Sequence, residues 1–344
     1  MKERQSIRAL LLLSFLVLAT RGIDTTTMER ENDSQILAHR KVNKIVMMEG
    51  GDVYDCIDVN VQPTLGHPLL KHHKIQMEPS SLPVGQRIKS PSPNGVLQAH
   101  LSVVECPTGM VPIIRNNRRG HIAAHTTEQV INKDEQLEMA GIRYSDDLYG
   151  VRATINVYEP KVKKDSKDIS QSGVLIDNGP TGQEEGVGAC YSVAPNSTGD
   201  SFARFHVIWR DGKLHKPCYD HDPKTANWWV MYGEEKTPIG YWPSSLFSHF
   251  KDKGIYSFWG GFVQGPTASS DSPQIGSGHF ASEGYGKAAF MRRIQIVDNN
   301  NKLVTPNSHK DLVGTTDITK YSIDGYKVDN HGVHMYYGGP GNLV

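Results

Sequence analysis

Histidines and carboxylates are the residues through which this 344-residue chain could do chemistry. Its 15 histidines raise the question of a metal site, but their spacing argues against one. His331-x-x-His334 has neither the helix nor the intervening Glu of a zinc-binding H-E-x-x-H, Cys218-x-x-His221 is one pair without a second, and His72-His73 sits among prolines. They read as scattered surface histidines, and no metal or other cofactor is expected. A Ser/His/Asp hydrolase built on a nucleophile elbow would show G-x-S-x-G, which is absent. Gly276-Ser277-Gly278-His279 reads as a tight loop before a strand. Carboxylates remain. Two facing carboxyl groups split their pKa values, so that one serves as base and the other as acid, and such a pair needs no sequence adjacency. Glu184-Glu185, Glu234-Glu235 and Glu283 stand in glycine-rich settings; each alone reads as a solvated loop charge.

The elements that must position these residues are short strands. Val151, Ala153, Ile155 and Val157 alternate with polar neighbours, as do Phe205, Val207 and Trp209. Trp228–Tyr232, Ile255–Val263, Ala288–Val297 and Val333–Tyr337 are further strand-like runs, separated by turn signals such as Asp211-Gly212, Asn299-Asn300 and Asp324-Gly325. With Gly 33 and Pro 19 in the chain, this pattern predicts an antiparallel β-sandwich or barrel. Met28 to Met48 reads as a helix with Ser34 as its cap. The following stretch to Arg115 is punctuated by Pro and Gly, which bars long helices, and it ends in a basic knot of Arg115, Arg118 and Arg119. Residues 121–147 are polar with little periodicity, and the main domain boundary is placed there.

The N-terminus reads as an address. Lys2, Arg4 and Arg8 precede the apolar run Ala9–Ala19, the pattern of a secretory signal peptide ending near Gly22; the run is too short to span a bilayer. Four cysteines in an oxidising compartment suggest two disulfides, and pairing neighbours, Cys56 with Cys106 and Cys190 with Cys218, keeps each bridge within one domain. Asn32 and Asn196 open N-x-[ST] sequons. A formal charge of +0 and a pI near 7.3 give no electrostatic footprint for nucleic acid.

The segment KTANWWVMYGEEKTPIGYWPSSLFSHF (224–250), with FWGGFV (258–263), IGSGHFASEGYGKAAFMRRIQIVD (275–298) and YYGGPGN (336–342), resembles the neprosin family of plant secreted proteins. Upstream, VYDCIDVNVQPTLGHPLLKHHKIQMEPS (53–80) and CPTGMVPIIR (106–115) resemble that family's activation-peptide domain. The resemblance implies an all-β, antiparallel β-sandwich catalytic-type domain preceded by a small α+β activation-peptide-like domain. It implies the division 1–22 signal peptide, 23–125 activation-peptide-like domain and 126–344 catalytic-like sandwich. It also implies a glutamic endopeptidase that cleaves after proline with two Glu residues and a water. Carried over residue by residue, Glu184 is the candidate first carboxylate, from Glu184-Glu185-Gly186-Val187. The second Glu of the family follows a Trp-Gly-Gly triplet; here Trp259-Gly260-Gly261 is followed by Phe262.

Two departures therefore bear on function. Phe262 cannot protonate a leaving amine, and loss of one acid/base partner removes about 10²–10⁴-fold in rate. Several strands of the family pattern are also missing near 219–224, which leaves Cys190 either a partner of Cys218 or a free thiol. Three readings follow: a secreted neprosin-type relative with impaired or absent catalysis on proline-containing peptides; a non-catalytic peptide- or cell-wall-glycan-binding module using aromatics such as Trp228, Trp229, Tyr241 and Trp242; or a truncated or decaying duplicate.

Overall fold

A computed structural model describes residues 42–47, 53–85, 104–114, 136–211, 220–221, 224–233, 236–307, 311–329 and 332–342. Residues 1–22, where the sequence predicts a signal peptide, Asn32, the basic knot at 115–119 and Cys218 lie outside the described residues, as do 212–219 and 222–223 beside the gap that the sequence reading places at 219–224. Among the described residues no helix is long and apolar enough to cross a membrane. The chain divides into a smaller unit, Leu12–Met77 with Ser102–Ala124, and a larger one, Met1–Leu11, Glu78–Leu101 and His125–Val344.

In the smaller unit, β1 (Lys44–Met47), β2 (Val53–Asp58) and β4 (Met110–Ile114) form an antiparallel sheet in the order β1-β2-β4. The sequence reading placed a helix over 28–48; its described end is strand β1. Ile45 and Val46 are β-branched and pair with Asp55 and Tyr54, so a partner strand overrides a weak helical pattern. Proline punctuation after β2 permits only single 3₁₀ turns, Val59–Val61, Pro63–Gly66 and Pro68–Leu70, the first capped by the Asp58 side chain. Cys56 and Cys106 are disulfide-bonded, beside buried Tyr54 and Ile57.

The larger unit is a sandwich. Its strands are β3 (Val84–Gly85), β5 (Gln136–Leu148), β6 (Val151–Ile155), β7 (Ile169–Asn178), β8 (Glu185–Val193), β9 (Arg204–Asp211), β10 (Asp220–His221), β11 (Trp228–Tyr232), β12 (Thr237–Trp242), β13 (Gly254–Gly265), β14 (Ala289–Val297), β15 (Lys302–Val304), β16 (Asp311–Thr315), β17 (Ser322–Asp329) and β18 (Gly332–Gly338). One six-stranded sheet runs β16-β5-β13-β7-β8-β9. A second runs β17-β18-β14-β15-β3, with β6 beside β14, and a three-stranded sheet runs β10-β11-β12. Every pairing in the first sheet is antiparallel.

Period-2 alternation builds the core. Ala140, Ile142 and Tyr144 of β5, Trp259 and Val263 of β13, Val174 and Ile176 of β7, and Val187 and Ala189 of β8 point inward from the first sheet. Met291, Ile294 and Ile296 of β14 and Val333, Met335 and Tyr337 of β18 meet them from the second. The described part of the stretch read as aperiodic belongs to β5, at 13 residues the longest strand among the described residues. Its alternation is masked because one inward position is a carboxylate, Glu138, which is buried with Thr316 Oγ1 donating to it and Lys320 Nζ 3.9 Å away. Trp228, Trp229 and Trp242 are buried, not a binding surface; Trp228 stacks on Phe250 at 4.0 Å and donates to its carbonyl.

Candidate functional site

The outward face of the six-stranded sheet carries the two positions that the sequence singled out, and the strand register says how far apart they are. Phe262 on β13 lies beside Met139 of β5 and Gln171 of β7, and Gln171 lies beside Ser192 of β8. Glu184 stands one residue before β8, eight residues from Ser192 along the chain. At the usual rise per residue that is about 26 Å along the strand. At this register a side chain at 262 and Glu184 do not flank one water. In the rows through Gln264, Phe262, Gly260 and Phe258, the outward positions of β5, β13, β7, β8 and β9 hold no Asp or Glu. The glycines between the two phenylalanines serve packing: a Cβ at Gly141 would come 2.5 Å from the Phe258 ring, whose centroid lies 6.4 Å from that of Phe262.

The first carboxylate met on this face is Asp177, near the end of β7. Its neighbours across the sheet are Tyr256 on β13 and Gly186 on β8, and Gly186 in turn lies beside Arg210 on β9. Gly186 leaves no side chain between Asp177 and Arg210. Arg143, outward on β5, places its guanidinium 4.4 Å from the Tyr256 ring centroid, and Arg210 Nη1 lies 3.8 Å from Glu184 Oε2. Asp177 is 8% exposed, and its buried Oδ1 accepts no hydrogen bond. Burial pushes its carboxyl up to about 6, with Glu184 adding to the rise and Arg210 and Arg143 opposing it. Burial also lowers the pKa of Arg210. Sequence reasoning missed Asp177, although the alternation of Val174 and Ile176 with Leu175 and Asp177 assigns it to the outward face.

The adjacent glutamates have different fates. Glu184, 29% exposed at its side chain, closes the connection from β7 that turns through Gly179 and Gly182, both at positive φ. Glu185 points the other way and is buried. Its carboxylate accepts from the backbone N–H groups of Ser248, His249 and Phe250, so it holds a loop end in place and is not a solvated charge. Further along the outward face, Cys190 of β8 lies beside His206 of β9. Cys190 is a buried free thiol, pushed up to about 12 by burial, while burial and Arg204 bring His206 down to about 4. Both are neutral near pH 7, so this is no thiolate–imidazolium pair.

Comparison with known families matches both halves of the chain. A family model described as Neprosin matches residues 220–340, and one described as Neprosin activation peptide matches residues 45–150.

Proposed function

The chain belongs to the neprosin family, and on that premise we propose that it is a secreted, peptidase-related protein that engages proline-containing peptides without hydrolysing them through the family's pair of glutamates. One observation carries this reading: Phe262 fills the position after Trp-Gly-Gly, and the rows around it supply no carboxylate that could stand in. In those rows of the described residues a water meets no carboxylate to take its proton or to protonate a leaving amine. Peptide engagement rests on the family relationship alone.

The test is turnover and binding measured on the same purified full chain. A fluorogenic proline-containing peptide should not be cleaved between about pH 3 and pH 8, the range over which carboxylates and histidine change charge, while an end-blocked proline-rich peptide is retained. Phe262→Glu should gain no hydrolysis, because Glu184, the first carboxylate assigned by the resemblance, lies about 26 Å away along the sheet. Cleavage by the wild type that Glu184→Gln abolishes would overturn the proposal.

A further inference from the structure

The end of the six-stranded sheet that holds Asp177 has the donors of an anion site and an acceptor with nothing to accept. Two guanidiniums bracket Asp177, that of Arg143 by way of the Tyr256 ring and that of Arg210 across Gly186. Arg143 is exposed, and Glu184, Tyr256 and Arg210 are half-buried, so the rim of the cluster reaches solvent while Asp177 Oδ1 lies covered beneath it. A buried, unpartnered carboxyl oxygen is costly unless something completes it. A bidentate guanidinium is the side chain best shaped to hold a carboxylate.

We propose that Arg143, Arg210 and the Asp177 carboxyl group form a binding site for a free carboxylate, the C-terminal group of a peptide, which competes with Glu184 for Arg210. The proposal rests on the reading that the chain engages peptides, and it names the end of the peptide that is recognised. The ligand carboxylate accepts from the guanidiniums, and protonated Asp177 donates its O–H to the same ligand, a short charge-assisted bond. The groups facing Asp177 are Tyr256 from β13, Arg143 from β5, Glu184 ahead of β8 and Arg210 from β9. With both carboxylates ionised the two positive and two negative charges cancel, and an anion gains little. Once Asp177 takes up a proton, one net positive charge remains and the clash with the ligand is removed. Affinity should therefore rise as pH falls through about 6, the value to which burial lifts Asp177, while a peptide C-terminus, with its ordinary value of about 3.5, stays ionised.

The experiment titrates the full chain by calorimetry with an N-acetylated tripeptide ending in proline, as free acid and as amide, at about pH 5 and about pH 7.5. The free acid should bind about tenfold or more tighter at the lower pH, following the protonated fraction of Asp177. The amide should lack this gain. Asp177→Asn, a neutral donor at any pH, should bind the acid with nearly the same affinity at both values. Arg143→Gln, at an exposed position, should lose about tenfold at the lower pH, and Glu184→Gln should bind tighter than wild type at both. Equal affinity for acid and amide, a pH-independent wild type, or an Asp177→Asn protein that keeps the wild-type pH dependence would each overturn the proposal. An end-blocked peptide with an internal proline reports separately: if it binds while acid and amide are not distinguished, peptide engagement stands and the carboxylate site falls.

Discussion

Asp177, Glu184 and Glu185 show how much a carboxylate's setting decides. The raised value of Asp177 means that its charged form is disfavoured in the folded protein. Its native carboxyl, near 6, lies above the ordinary value of 3.8, so the stability it confers is fully present below the lower value and is lost as pH climbs through the higher one. Replacing it with a neutral isostere should therefore stabilise the protein at neutral pH and change little in acid. Asp177→Asn should gain about 1–3 kcal/mol near pH 7.5 and close to nothing near pH 3.5, read from urea unfolding at the two pH values. Replacing Glu185 should have the opposite effect on stability. Glu185→Ala would strand three backbone N–H groups and should cost about 2–5 kcal/mol, whereas Glu184→Gln next door should stay within about 0.5 kcal/mol; thermal melts of the two variants compare them directly.

At the scale of elements, β13 explains why its sequence reads Trp-Gly-Gly. Trp259 turns into the core, and Gly261, also inward, sits where a Cβ would approach Ile275 Cγ2 to 2.3 Å and the Tyr337 ring to 2.9 Å. The triplet is thus a packing device of the central strand, and it persists here although the residue after it is Phe262. Gly261→Ala should destabilise by about 1–3 kcal/mol through overpacking, seen as a lower midpoint in denaturant. The neighbouring β5 and β7 were hard to read from sequence for a related reason. The alternation of β5 is interrupted by Gly141, against the Phe258 ring, and by the buried, partnered Glu138, and that of β7 by Gly173, packed against Cys190 of β8. Strands with an unbroken apolar alternation, Phe205-Val207-Trp209 in β9 and Trp228-Val230-Tyr232 in β11, stand out plainly.

At the scale of the molecule, the two units are stabilised by different means. The larger has a continuous core between sheets. The smaller has short strands and 3₁₀ turns, and its covalent tie closes a loop with a sequence separation of 50. In the chain-entropy account such a bridge contributes about 4 kcal/mol. Reductant should therefore lower the calorimetric transition of the smaller unit and leave that of the larger one in place, since Cys190 there is a free thiol; an unchanged profile would contradict this. Charge balance across the whole chain gives no sign of any of these sites, because a net charge sums residues without regard to where they meet in the fold.

The sequence by itself determined the family and the strand-rich sandwich, and it shows Phe262 after Trp-Gly-Gly, since these lie in local residue types, period-2 patterns and contiguous motifs. Only the tertiary structure decided that Glu184 and position 262 are far apart, that Glu185 is a buried loop anchor and that Asp177 stands between two arginines. Those outcomes depend on strand register and on which side chains lose their water. Both are set by residues many positions away, and neither is written in the spacing of the residues concerned.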